Sequence, residues 1–215
     1  CLPPKTQQLL ISLGDIEPIA EFLLVGGTAL ALHAAHRLSE DLDFVFATGD
    51  KLPREKIDAI LTALRGKGLQ PQFIAHPDAA IDFSESLLDI IDYQHDYSVD
   101  DVKLTFFAPD DRAVFGDCAG RLSIGKVQIA SPGEIFDSES LLFSKLCRSR
   151  DVFDLWWLTE HGGFDIERMA ATEYDPTSYQ PSVFLAPSWE VLYHDLHSWL
   201  HDGGWRRRYQ SPITN

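Results

Sequence analysis

The sequence predicts an α+β fold: a small mixed sheet with flanking helices, followed by a mainly helical C-terminal part. Three observations carry this. Short apolar runs bounded by glycine and polar residues recur in the first half, as at Glu21–Val25, Leu42–Phe46 and Val102–Phe107, which is strand patterning. Apolar residues at helical spacing lie between them, as at Ile57, Ile60, Leu61 and Leu64. Beyond Ser131 the helical pattern runs on to about His161. The division expected is 1–130 for an α/β core and 131–215 for the helical part packed on it.

Element by element, residues 5–13 read as a short helix closed near Gly14. Glu21–Val25 reads as a buried strand ended by Gly26-Gly27, and Thr28–Leu38 as a helix beginning at those glycines. Leu42–Phe46 is a second strand. Pro53–Arg65 is an amphipathic helix punctuated by Gly66 and Gly68. Further strands are expected at Gln72–Ala75, Ile90–Gln94, Val102–Phe107 and Val127–Ala130. Ser131-Pro132-Gly133-Glu134 is a helix-start signature, with Ser as N-cap, Pro in the first turn and Glu reaching back. Residues 174–188 read as a loop and 188–202 as a helix.

At 215 residues with five tryptophans, the chain has the size and the apolar bulk for a packed core. No apolar stretch reaches the roughly 18 residues a membrane helix needs, so no membrane is expected. The start, CLPPKTQQLL, lacks a signal-peptide pattern. Three cysteines (Cys1, Cys118 and Cys147) without metal spacing fit a reduced, cytoplasmic protein. The net charge of −15 argues against general nucleic-acid binding through a basic surface. Any polyanion contact would have to be local, for example at CRSRD (147–151) or WRRRY (205–209), or screened by bound cations.

The chemistry concentrates in FLLVGGTALALHAAHRLSEDLDFVF, residues 22–46. A strand, Gly26-Gly27 and a helix place free backbone N–H groups and a helix N-terminus at one point, which favours anions such as phosphate. On a strand, residues i and i+2 face one side, so Asp41 and Asp43 stand together while Leu42 and Phe44 face the core. Two adjacent carboxylates repel unless a cation joins them, and a hard divalent ion, Mg²⁺ or Mn²⁺, is the natural partner. The thirteen residues between Gly27 and Asp41 suit one helix returning the chain to a neighbouring strand, which brings phosphate cradle and carboxylates side by side.

VGGTALAL followed by HRLSEDLDF resembles the signature of the AbiEii/AbiGii toxin family, within the DNA polymerase beta-like nucleotidyltransferase superfamily. SLLFSKLCRSRDVFDLWWL (140–158) resembles that family's second block. The resemblance implies a nucleotidyltransferase-type sheet. It further implies that Gly26, Gly27, Thr28, Arg37 and Ser39 serve nucleotide binding, that Asp41 and Asp43 bind metal, and that Lys145 and Asp151 complete the catalytic set. Lys145 and Asp151 are six residues apart, about 240° round a continuous helix, so a break near Cys147–Ser149 is expected. Thr105 stands where the superfamily often has a third carboxylate, with Asp151 as its expected substitute.

The function expected is metal-dependent transfer of an NMP from an NTP to an acceptor. That acceptor is RNA (a tRNA 3′ end among the options), a protein or a small molecule, and the protein would be the toxin of a toxin–antitoxin pair with a cognate antitoxin. The alternative is a non-catalytic nucleotidyltransferase-like module that binds a nucleotide or partner. His194, His197 and His201 share a helical face but read as a solvated helix, and Phe153, Leu155, Trp156, Trp157 and Leu158 read as core. His36 is placed to meet a phosphate.

Overall fold

The computed structural model describes residues 2–75, 89–109, 111–116, 118–143, 147–165 and 179–180. Helix α1 (Pro4–Gly14) leads through a 3-10 turn at Glu17–Glu21 into β1 (Leu23–Val25), α2 (Gly26–Ala34), β2 (Leu42–Val45), α3 (Arg54–Gly66) and β3 (Pro71–Ile74). There follow β4 (Gln94–Val99), β5 (Val102–Phe107), β6 (Leu122–Ile124), β7 (Val127–Ile129), α4 (Pro132–Phe143), β8 (Cys147–Arg148), α5 (Ser149–Glu160) and β9 (Tyr179–Gln180).

Seven strands form one mixed sheet in the order β3-β4-β5-β2-β1-β7-β6, and β8 and β9 form a separate parallel pair. β1 runs antiparallel to β2 and parallel to β7, while β2 runs parallel to β5. Cross-strand partners share a face. One face therefore carries Leu42, Phe44, Leu104, Phe106, Tyr97 and Val99, all buried. Phe106 is its centre, with ring centroids 5.0 Å from Phe22 and 5.7 Å from Phe44. The opposite face carries Asp43, Thr105 and Asp96 in one row across β2, β5 and β4. The sheet thus spends one face on the core and keeps a polar row on the other.

Local chemistry explains the element boundaries. α2 starts at the glycine pair and stops at Ala35, whose left-handed φ of 51° closes the helix. The β4–β5 hairpin turns at Asp100-Asp101, both with positive φ, as a two-residue turn that matches strand twist requires. The signature at Ser131 is a reciprocal cap: Ser131 N–H donates to Glu134 Oε2 (2.9 Å) and Glu134 N–H to Ser131 Oγ (3.2 Å).

Two expectations change. Ile90–Asp92 is a 3-10 turn, because the Asp89 side chain accepts from Ile91 N–H, and the strand begins only at Gln94. β6 was not foreseen; it joins the sheet antiparallel to β7. The break expected near Cys147–Ser149 is present: α4 ends at Phe143 and α5 begins at Ser149, with β8 before it. Lys145, the three histidines at 194–201, the predicted helix at 188–202 and the arginines at 206–208 lie outside the described residues, as does the predicted loop at 174–188 except for β9.

Candidate active site

The site forms where β1 ends. The antiparallel register pairs Val25 with Asp43, so the Gly26 turn falls beside the carboxylate strand. Gly26 takes φ +67°, a conformation that favours glycine. A Cβ there would sit 3.7 Å from Asp43 Oδ2 and 3.8 Å from Glu139 Oε1. Glu139 comes from α4 and is buried.

Asp43 is half-buried. Burial raises its pKa, the neighbouring Asp41 raises it further, and the Thr105 hydroxyl, Lys103 and Arg150 oppose the shift. Thr105 is paired in register with Asp43 and is buried, and its Oγ1 has no partner in hydrogen-bond geometry. It therefore lies near enough to favour the Asp43 charge without satisfying its own hydroxyl. Burial holds the Glu139 carboxyl well above the ordinary 4.5; Asp151, Asp154 and Asp43 add to the rise, and Arg37 alone opposes it. Asp41 is one-third exposed and receives Arg150 Nη1 at 3.4 Å. Arg150 Nε also lies 3.7 Å from Asp151 Oδ1. Asp41, Asp43, Glu139, Arg150 and Asp151 therefore gather at one end of the sheet.

Three of the residues expected to bind nucleotide are buried and hydrogen-bonded within the protein. Thr28 donates to the Asp41 carbonyl and is hydrogen-bonded with Ser39 Oγ at 2.8 Å; both residues are buried. They hold the loop that presents Asp41. Arg37 is buried against Asp154, with Nε 2.6 Å from Oδ1 and an Nη 2.5 Å from Oδ2. His36, expected to meet a phosphate, is buried. Its Nε2 bonds to Asp154 Oδ1 at 2.7 Å, and its ring lies 5.7 Å from Phe153 and 5.6 Å from Trp157. Phe153, Leu155 and Leu158 are buried in the core, with Trp156 and Trp157 packed on it. Sequence reasoning missed Glu139 as a neighbour of the cradle and Asp154 as a partner of Arg37. The only signal for Asp154 was its place three residues after Asp151, on the same helical face.

Two hard carboxylates on one face fit the donor set of Mg²⁺, which binds through one or two protein carboxylates together with substrate phosphates and water. Among the described residues no three His, Cys, Asp or Glu side chains are already gathered to hold a metal ion, so nucleotide oxygens would have to complete the shell. The rise in the Asp43 pKa caused by burial and by Asp41 marks the charge a cation would relieve.

The mixed sheet sets a glycine turn against Asp43 on β2, with Asp41 just before that strand, and a family match makes the protein a nucleotidyltransferase. The family described as nucleotidyl transferase AbiEii toxin, type IV TA system, matches residues 8–211, and the chain belongs to it. None of the curated proteins matches the chain in sequence. Among solved structures, ANT(2")-Ia in complex with adenylyl-2"-tobramycin superposes with a TM-score of 0.51 at 14% identity, over 79% of this chain and 97% of that one; this likeness concerns the fold. JHP933 from Helicobacter pylori gives a TM-score of 0.49 at 20% identity, over 80% and 74%. MenT4, a nucleotidyltransferase toxin from Mycobacterium tuberculosis, gives 0.46 at 12% identity, over 92% and 83%. No helix among the described residues is long and apolar enough to cross a membrane.

Proposed function

We propose that this protein moves a nucleoside monophosphate from a nucleoside triphosphate to an acceptor hydroxyl, with Asp41 and Asp43 holding Mg²⁺ or Mn²⁺. One observation carries the reading: the Val25–Asp43 register sets the Gly26 turn beside the carboxylate strand, so a triphosphate seated on one touches the other. The amides of Gly26 and Gly27 open α2 and face the triphosphate, where helix N-termini favour anions. Thr28 and Ser39 serve nucleotide binding by fixing the Asp41 loop. A divalent ion, when bound, neutralises the triphosphate and polarises its α-phosphorus.

Asp151 takes the acceptor's proton as the acceptor oxygen bonds to the α-phosphorus and the bond to pyrophosphate breaks. Arg150 and Lys145 supply positive charge to the phosphates. The acceptor is an RNA such as a tRNA 3′ end, a protein or a small molecule, and membership of a type IV toxin–antitoxin family supports reading the protein as a cytoplasmic toxin restrained by a cognate antitoxin. The test is incubation of the purified protein with α-phosphorus-labelled ATP, GTP, CTP and UTP, one at a time, with Mg²⁺ and total tRNA. An Asp41→Ala/Asp43→Ala control runs beside it. Label transferred only by the intact protein supports the reading. Label transferred equally by both removes the aspartates from the mechanism, and nucleotide binding without transfer, independent of metal, favours the binding module.

A further inference from the structure

Arg37, His36 and Asp154 form a buried cluster. Their exposures are 6%, 5% and 1%. Three bonds of 2.5–2.7 Å converge on the Asp154 carboxylate, two from the Arg37 fork and one from His36 Nε2. Arg37 Nη1 donates to the Leu38 carbonyl at 3.0 Å, so Arg37 also braces its own loop. The partners are 117 residues apart in the chain.

Each side of this joint leads to one half of the site. Arg37 lies four residues before Asp41, in the loop that delivers the carboxylate strand. Asp154 lies one helical turn after Arg150 and Asp151 on α5. The same two arms meet again at their tips, where Arg150 reaches Asp41. Gly27 belongs to the joint as well. A Cβ on Gly27 would collide with the Arg37 guanidinium, lying 2.9 Å from its Cζ and 3.0 Å from Asp154 Oδ2. Its φ is not in the left-handed region, so its need to be glycine is a matter of space, not of backbone conformation.

We infer that the Arg37–Asp154–His36 joint is a positioning device that sets α5 so that Arg150 and Asp151 face Asp41 and Asp43, and that Gly27 is glycine to leave room for the guanidinium. The roles of Arg150 and Asp151 rest on the nucleotidyl-transfer reading above; the joint itself does not. A direct phosphate-binding role for Arg37 is the competing account, and it differs in what it predicts. Direct contact with phosphate appears in the KM for nucleotide, whereas misplacement of α5 appears in kcat, where an error of about 1 Å can cost roughly 10²-fold.

The experiment compares Arg37→Met/Asp154→Leu, which replaces a buried ion pair by apolar groups and preserves folding better than breaking it, with the wild type. Gly27→Ala is introduced in each background. In the wild-type background Gly27→Ala is expected to lower the thermal midpoint and to lower kcat by at least about tenfold. In the double variant it should shift the thermal midpoint by less than about 2 °C, because the colliding group is gone. The double variant itself should lose about 10²-fold in kcat with nucleotide KM within about threefold. Equal effects of Gly27→Ala in both backgrounds, or a double variant whose defect lies in KM alone, overturn the inference. If the double variant does not fold, Arg37→Lys replaces it: lysine keeps the charge, loses the fork and vacates the space beside Gly27, so the same suppression is expected and its absence overturns the inference. A wild type inactive with every nucleotide would sink the proposed function, while suppression of the thermal defect would still decide the joint.

Discussion

Asp154 and Glu139 are carboxylates buried to 1% and 5% exposure on the contacting helices α5 and α4, and their protonation is pulled in opposite directions. Burial would raise both. At Asp154 the Arg37 charge and the bonds from Arg37 and His36 override burial and hold the carboxyl below its ordinary value. At Glu139 burial acts with three further carboxylates, and Arg37 opposes it from a distance. Asp43 follows Glu139, with burial and Asp41 against weaker help from Thr105, Lys103 and Arg150. A carboxylate is thus a structural anchor where its lone pairs are filled, and a group awaiting a cation or proton where they are not. Carboxylates without a cation partner are what a phosphate-transferring site needs before its cations arrive.

The largest expected effect tests the unmet half. Asp41→Ala or Asp43→Asn should lower transfer by about 10⁴-fold, roughly 5 kcal/mol on the barrier, while the thermal midpoint of the metal-free protein stays level or rises. Single-turnover kinetics beside a melting curve measures both. A midpoint that falls with activity would make these aspartates structural, like Asp154.

Next comes the met half. Asp154→Ala leaves the Arg37 charge buried and unpaired, and breaking a buried pair costs about 3–5 kcal/mol, or roughly 10 °C in a chain of this size. Urea denaturation with Arg37→Met beside it checks this, and a loss under about 1 kcal/mol would remove the distinction between the two carboxylates.

The pH dependence separates them by sign. Asp154, held below 3.8, contributes stability that is present above that pH and lost as pH falls through its lowered value. Glu139, held above 4.5, contributes stability that is present below that pH and lost as pH rises through its raised value. Glu139→Gln should therefore flatten the alkaline decline and leave the acid limb intact, with a gain of about 1–2 kcal/mol at pH 8 in the absence of metal. Chemical denaturation of both proteins from pH 3 to 8 reads this out. Parallel curves would mean that Glu139 is satisfied in solution.

The smallest effect concerns a third buried acid. Glu134 resembles Asp154 in being met, by Ser131 N–H at 2.9 Å and by Arg121 Nε at 3.0 Å. Its cap is local, however, so Ser131→Ala should cost only about 1 kcal/mol with transfer unchanged, as a thermal melt and the transfer assay would report.

What the sequence determined was what neighbouring residues decide among themselves. The alternation at 41–44 put Asp41 and Asp43 on one face. The glycine pair marked the strand-to-helix turn, and the thirteen-residue spacing returned the chain to a neighbouring strand. Ser131 and Glu134 announced a helix start by a bond three residues long. Each of these follows from backbone periodicity and short-range hydrogen bonding, which any reader of the chain can apply. The misreadings were local competitions decided by one side chain, such as the Asp89 bond that makes Ile90–Asp92 a turn. Only the tertiary structure decided which charges meet. It joined Arg37 to Asp154 across 117 residues, carried Glu139 to the Gly26 turn, and buried Thr28 and Ser39 in one hydrogen-bonded cluster at the Asp41 carbonyl. Sequence position carries no information about such pairings, because a buried charge takes whichever partner packing brings within hydrogen-bond reach, and packing is settled by the apolar faces of the sheet and helices as a whole.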